Sequence, residues 1–203
     1  MRVSVLALTM GLMEIFATPG VSQAALVLED FESGTTGNAS ASGDATIAVV
    51  AGGSGGSSYA LQVTRPTGGW GGSFNLNLPS LSSIPSYTQI SMDIKASGGS
   101  DVPGWWLQVL PILNLSTGWH SGTMSPNLNG EWATYTWDYS AAGVPATTPD
   151  WGQLSINSQG GVGGTPPQMT FYVDNIQLTG AVPEPASLTL LGLTGLALRR
   201  RRN

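Results

Sequence analysis

Through the middle of this 203-residue chain, apolar and polar side chains alternate strictly in short runs, a period of two that leaves few architectures open. Phe74, Leu76 and Leu78 alternate with Ser73, Asn75 and Asn77, and Ile90, Met92 and Ile94 alternate with Ser91, Asp93 and Lys95. Successive side chains of an extended strand point to opposite faces, so each run has one dry and one wet face. Further strands are predicted at Leu26–Glu32, Thr46–Val50, Tyr59–Thr64, Trp105–Leu113, Trp132–Tyr139, Leu154–Asn157 and Thr170–Leu178. Gly, Ser, Pro and Asn separate them, as in Gly52–Ser58 and Gly160–Thr165, and no internal stretch has a convincing helical period. The expected fold is all-β, an antiparallel two-sheet sandwich or jelly roll, with a closed barrel as the alternative. In the last run Phe171 and Val173 share one face while Ile176 and Leu178 share the other, which predicts a bulge or local turn at Asp174-Asn175.

Glycine and proline are abundant, at 28 and 13 residues, and only 9% of the chain is charged. With 41% hydrophobic residues and seven Trp, it still has the material for a core. The charges divide the chain. Arg2 lies at the start and Arg199, Arg200, Arg201 and Arg202 at the end, leaving only Arg65 and Lys95 against ten carboxylates between residues 25 and 182, a net charge of −8 there. Such a surface repels phosphate backbones, so nucleic-acid binding is not expected, and the terminal arginines read as membrane topology. The absence of Cys excludes disulfides and thiolate metal sites.

Residues 1–24 have the layout of a signal peptide. Arg2 is followed by an apolar stretch from Val3 to Met13 and a Thr18-Pro19-Gly20 break, and Ser22 and Ala24 are the small residues of a cleavage site between Ala24 and Ala25. At the far end, Val182-Pro183-Glu184-Pro185-Ala186 precedes an apolar run over residues 186–198 and then the arginine cluster 199–202. Thirteen residues of helix reach only about 20 Å against about 30 Å of hydrocarbon, a marginal span that snorkelling arginines could extend.

Motif, helix and basic cluster at the C-terminus together resemble the PEP-CTERM sorting signal, over residues 182–203. The resemblance implies recognition of Pro183, Glu184 and Pro185 by exosortase, a membrane-embedded cysteine protease, after signal peptidase has acted. It also implies a transient inner-membrane intermediate, release to the cell surface or extracellular matrix, and association with extracellular polysaccharide. Residues 25–181 are then a single domain. Phe31-Glu32 in an opening strand and Tyr172-Val173-Asp174-Asn175-Ile176 in a closing one, with Tyr59–Val63 and Glu131–Tyr135 between them, resemble the galactose-binding-like jelly-roll carbohydrate-binding modules. In many such modules the first-strand Glu and last-strand Asp help hold a structural calcium ion, which by similarity points to Glu32 and Asp174.

Aromatic rings stack on the apolar C–H faces of sugars, yet most Trp residues are buried. Trp132 and Trp151 are expected to pack. Trp105 and Trp106 are adjacent in a strand and cannot both enter one core; Trp106 shares its face with Gln108. Trp70, among glycines, and Trp119, in a polar turn beside His120, complete the candidate glycan platform of Trp70, Trp106 and Trp119. Catalysis has little support. His120 is the only histidine and lacks a nucleophile-elbow motif, and Glu29 and Glu32, three apart in a strand, would face opposite ways. The expectation is a noncatalytic exported protein that binds glycan. A structural or adhesion protein without a sugar ligand, or a glycan-active enzyme, are the alternatives.

Overall fold

The computed structural model describes residues 24–67, 72–96, 106–116, 118–127, 129–140, 148–159, 165 and 168–181. The signal peptide up to residue 23, Trp70, Trp105 and the C-terminal segment from Val182 lie outside the described residues. Eleven strands form among those described: β1 (Leu26–Glu29), β2 (Ala39–Gly43), β3 (Thr46–Ala51), β4 (Tyr59–Arg65), β5 (Gly72–Asn77), β6 (Tyr87–Ala96), β7 (Trp106–Leu115), β8 (Gly118–Ser121), β9 (Trp132–Asp138), β10 (Trp151–Gln159) and β11 (Met169–Ala181). The only helical pieces among these residues are two 3-10 turns, Ser54–Gly56 and Leu81–Ser86.

The strands make two antiparallel sheets, so the sandwich read from the alternation is what forms. One is ordered β3-β4-β11-β6-β9, with β1 also paired to β11; the other is ordered β2-β5-β10-β7-β8. Each alternating run turns its apolar set inward: Phe74 and Leu76 from one sheet meet Ile90, Met92 and Ile94 from the other, all at 0–1% exposure. Full burial of a side chain of this size contributes about 1.5–3 kcal/mol.

The phase change in β11 is a bulge. Asp174 pairs with Asp93 and Gln177 with Ser91, so Asn175 and Ile176 oppose the single residue Met92. Asn175 takes a left-handed φ of 49°, which Asn tolerates better than most residues. The extra residue moves Ile176 and Leu178 into register with Phe171 and Val173, and all four reach one core.

Most strands run a residue or more beyond or short of their predicted ends, and the opening strand's departure has the most consequence. The opening strand stops at Glu29 rather than Glu32, because the chain turns at Phe31, whose φ is 57° and whose ring is fully buried. Glu29 and Glu32 therefore do not share a strand. The pattern also missed β2 and β8. In Ala-Ser-Ala-Ser-Gly the inward residues are too small to register as apolar, and Gly-Trp-His-Ser is too short to show a period.

Pro111 lies inside β7, where a proline removes a ladder donor. The amide of Val109 donates to the carbonyl of Met124 beyond β8, so the position two residues on faces the same neighbour. The named pairs of β8 end at Ser121, and the donor that Pro111 lacks falls where that ladder breaks.

Candidate functional site

The outward side of the β2-β5-β10-β7-β8 sheet is the candidate site. Along β7, Leu107, Val109, Pro111, Leu113 and Leu115 point inward, which leaves Trp106, Gln108, Leu110, Ile112 and Asn114 outward. The register carries that parity across the sheet. Asn157 lies opposite Gln108, Ser155 opposite both Leu110 and Asn75, and Gln153 opposite both Ile112 and Asn77. Asn114 lies between Trp151 on β10 and Trp119 on β8. These two indoles meet edge to face, with centroids 5.1 Å apart and planes at 83°. Trp106 stands at the other end of β7, eight residues from Asn114, or about 27 Å at the usual strand rise.

The face is therefore a strip of amides, hydroxyls and two aliphatic side chains with indoles at both ends. The five strands contain no Asp, Glu, Lys or Arg. The Ser155 hydroxyl donates to Asn75 Oδ1 at 2.9 Å, which leaves the Asn75 amide nitrogen as an oriented donor. Amides can both donate to and accept from vicinal hydroxyls, and indole faces suit pyranose C–H surfaces.

Of the aromatic residues singled out in the sequence, Trp106 is 42% and Trp119 65% exposed, both on this face. Trp119 sits in β8 rather than in a polar turn. Trp151 was expected to pack and instead is 37% exposed beside Trp119. Its signal was present: Trp151 has the parity of Gln153, Ser155 and Asn157, the wet side of its strand. Trp132 is half-buried at the start of β9, 6.4 Å from Tyr172, whose ring lies 5.6 Å from Lys95 Nζ. That group belongs to the other sheet. His120 lies opposite Leu113, on the inward parity of edge strand β8.

Glu32 and Asp174 come from opposite ends of the chain to one loop, residues 52–59. Asp174 Oδ2 accepts from the Ser54 amide at 2.8 Å and Oδ1 from the Asn175 amide at 2.8 Å, with the residue fully buried. Burial raises its pKa above the ordinary carboxylate value, and the two amides only partly oppose that. Glu32 is exposed; its Oε1 accepts from the Ser57 hydroxyl at 2.6 Å and the Tyr59 amide at 2.9 Å, and these bonds lower its pKa. A Cβ at Gly53 would collide with Asp174 Oδ2, Ser57 Oγ and the Tyr59 carbonyl oxygen, so those three oxygens close around a space only glycine leaves open. This donor set is all oxygen, the chemistry that hard cations select. Among the described residues no cluster of three or more His, Cys, Asp or Glu occurs, so a cation here would depend on hydroxyl, carbonyl and water oxygens beside two carboxylates.

Residues 181–202 match the PEP-CTERM protein-sorting motif, a mark of exported proteins. No curated protein matches the chain in sequence. Among solved structures, the chain is similar to a carbohydrate-binding module of the β-sandwich superfamily, with 23% identity and a TM-score of 0.51 over 80% of this chain and 63% of that one. It thus spans under two thirds of that neighbour's length. An exo-β-agarase aligns at 16% identity and a TM-score of 0.53, over 78% of this chain and 26% of its own. The enzymatically active domain of tailspike protein 4 of bacteriophage CBA120 aligns at 12% and 0.50, over 75% and 20%. At these identities the likeness is one of fold: a β-sandwich of the kind found in carbohydrate-binding modules.

Proposed function

We propose that the chain is an exported, noncatalytic glycan-binding protein whose platform is the outward side of the β2-β5-β10-β7-β8 sheet. The observation that carries this reading is the composition of that face: amides and hydroxyls without a formal charge, bracketed by Trp106 at one end and Trp119 with Trp151 at the other. A chain of neutral sugars offers what such a strip recognises, hydroxyl rims and apolar ring faces. Glycoside hydrolysis needs two carboxyl groups flanking the bond, and these five strands supply none. Signal peptidase and an exosortase-type protease act on the two ends, through an inner-membrane intermediate, and deliver the domain to the cell surface or matrix. The polysaccharide there is the proposed ligand.

Calcium is the proposed structural ion, held between Glu32 and Asp174 with Ser57 Oγ and the Tyr59 carbonyl as further oxygens. Its part is to neutralise the buried Asp174 carboxylate and fasten the 52–59 loop to both ends of the domain. The deciding experiment is polysaccharide pull-down and calorimetry on residues 25–181 alongside Trp106→Ala, Trp119→Ala and Trp151→Ala. Binding that weakens in these variants while their melting temperatures hold supports the platform. A folded wild-type domain that retains no polysaccharide would leave the structural or adhesion role, and turnover of polysaccharide would point to an enzyme.

A further inference from the structure

Strand β11 runs, paired with β6, to Ala181, and Ala181 is also the first residue of the sorting motif. No spacer separates the folded sandwich from the signal that directs its processing. The last turns of the ladder are well fastened: Thr179 pairs with Gln89 and Ala181 with Tyr87, and the Thr88 hydroxyl donates to the Gly180 carbonyl at 2.8 Å. Gly180 has a φ of 67°, and a Cβ there would collide with Thr88 Oγ1, so the chain packs closely at its exit. The N-terminal exit lies at the same place. Tyr87 itself donates its hydroxyl to the Ala24 carbonyl at 3.1 Å.

A protease reads its substrate as an extended segment of several residues laid into a cleft, which a strand end still hydrogen-bonded along β6 and fastened at Thr88 cannot fully enter. We infer that residues Tyr87–Gln89 act as a clasp on the C-terminal exit, so that processing of the sorting signal waits for Thr179–Ala181 to peel from β6. This rests on the reading of residues 181–202 as a signal that is cut. In the cut itself a peptide bond C-terminal to Ala181 breaks, its acyl carbon passing to water or an acceptor nucleophile, and the new amine leaves with the apolar segment. Peeling a strand end is a local opening and needs no global unfolding. Its free energy would set the fraction of time the segment is presentable, and hence the lifetime of the membrane-held precursor.

The test is pulse-chase of the full chain in its exporting cells, following conversion of the membrane-held form. A flexible Gly-Ser insertion of about four residues between Ala181 and Val182 leaves every strand intact and supplies the missing spacer. It is expected to shorten the precursor's life by about fivefold, the scale of a modest local opening. Thr88→Ala, which loosens the clasp, is expected to act in the same direction and more weakly. In parallel, Pro183→Ala with Glu184→Ala tests the reading beneath. If that double variant blocks conversion but the insertion leaves the rate unchanged or slows it, the clasp is overturned and the signal stands. If the double variant converts normally, the signal reading falls and the clasp falls with it.

Discussion

The two sheets share one core and differ in what they show to solvent. The β2-β5-β10-β7-β8 sheet contains no Asp, Glu, Lys or Arg, whereas the strands of the other carry Glu29, Asp93, Lys95 and Asp138 at partly or fully exposed positions, besides the buried Arg65 and Asp174. On the charged sheet the polar groups are largely engaged with each other. Asp93 accepts from the Thr134 hydroxyl at 2.6 Å and the Asn175 amide at 2.9 Å, Gln62 donates to the Tyr172 hydroxyl at 3.2 Å, and Lys95 lies over the Tyr172 ring. The neutral sheet spends its outward positions on amides and indoles instead. Charge thus marks the sheet whose polar groups bond one another, and its absence marks the sheet proposed as the glycan platform.

The comparison can be broken first at the core, where it claims no difference. Phe74→Ala under the neutral sheet and Phe171→Ala under the charged one should each cost about 3–5 kcal/mol in denaturant melts, because both rings fill the same interior. A cost well below that range at either ring would mean that it does not help fill the shared core. Next in size is calcium, which by this account acts on the charged side alone. At a hundredfold excess over its dissociation constant it should add about 2.7 kcal/mol, read as a higher melting temperature than in chelator. Asp174→Asn should remove most of that gain, and an unchanged melting temperature in the wild type would end the proposal.

The same ion has a pH signature. Without a cation, Asp174 keeps its proton in the folded state at pH values where the unfolded chain has lost it, so stability falls as pH rises from the ordinary carboxylate value through the raised one. Glu32 works in the opposite sense: its contribution is present above its ordinary value and is lost as pH falls through the lowered one. Calcium requires ionised Asp174, so its stabilisation should grow as pH rises from the ordinary carboxylate value through the raised one, measured as paired melts with calcium and chelator. A gain independent of pH would place the ion elsewhere.

On the neutral sheet, Trp106→Ala, Trp119→Ala and Trp151→Ala should each weaken glycan binding by about 1–3 kcal/mol, on the scale of bases stacking on aromatic rings, with little change in melting temperature. The smallest effect sharpens the contrast. Lys95→Met on the charged sheet should leave glycan retention unchanged and shift stability by no more than about 1 kcal/mol, the worth of an exposed cation–π contact.

The sandwich was legible because period-two alternation is a one-dimensional record of a two-faced sheet. Phe74 to Leu78 and Ile90 to Ile94 carried it plainly, and the slip at Asp174-Asn175 showed as a phase error before any bulge was seen. What did not show was strand neighbourhood. That Trp119 and Trp151 touch depends on β7 lying between β8 and β10, a fact of topology that no local pattern holds. Glu32 and Asp174 stood out as a pair only through resemblance to the jelly-roll modules. Their shared loop at Ser54, Ser57 and Tyr59 is a tertiary meeting that spacing alone would not have predicted.

One feature of the connectivity bears on how the molecule comes to exist. The last strand among the described residues, β11, is the middle strand of its sheet, and until it arrives the β3-β4 hairpin and the non-local β6-β9 pair are separate, each with bare edges. Such non-local closure makes for a high contact order and slow folding. Emerging chains would expose those edges, and bare edges invite pairing between molecules. In an exported chain this ordering means that the sheet closes only once β11, the last strand of the domain described, is available to pair with both β4 and β6.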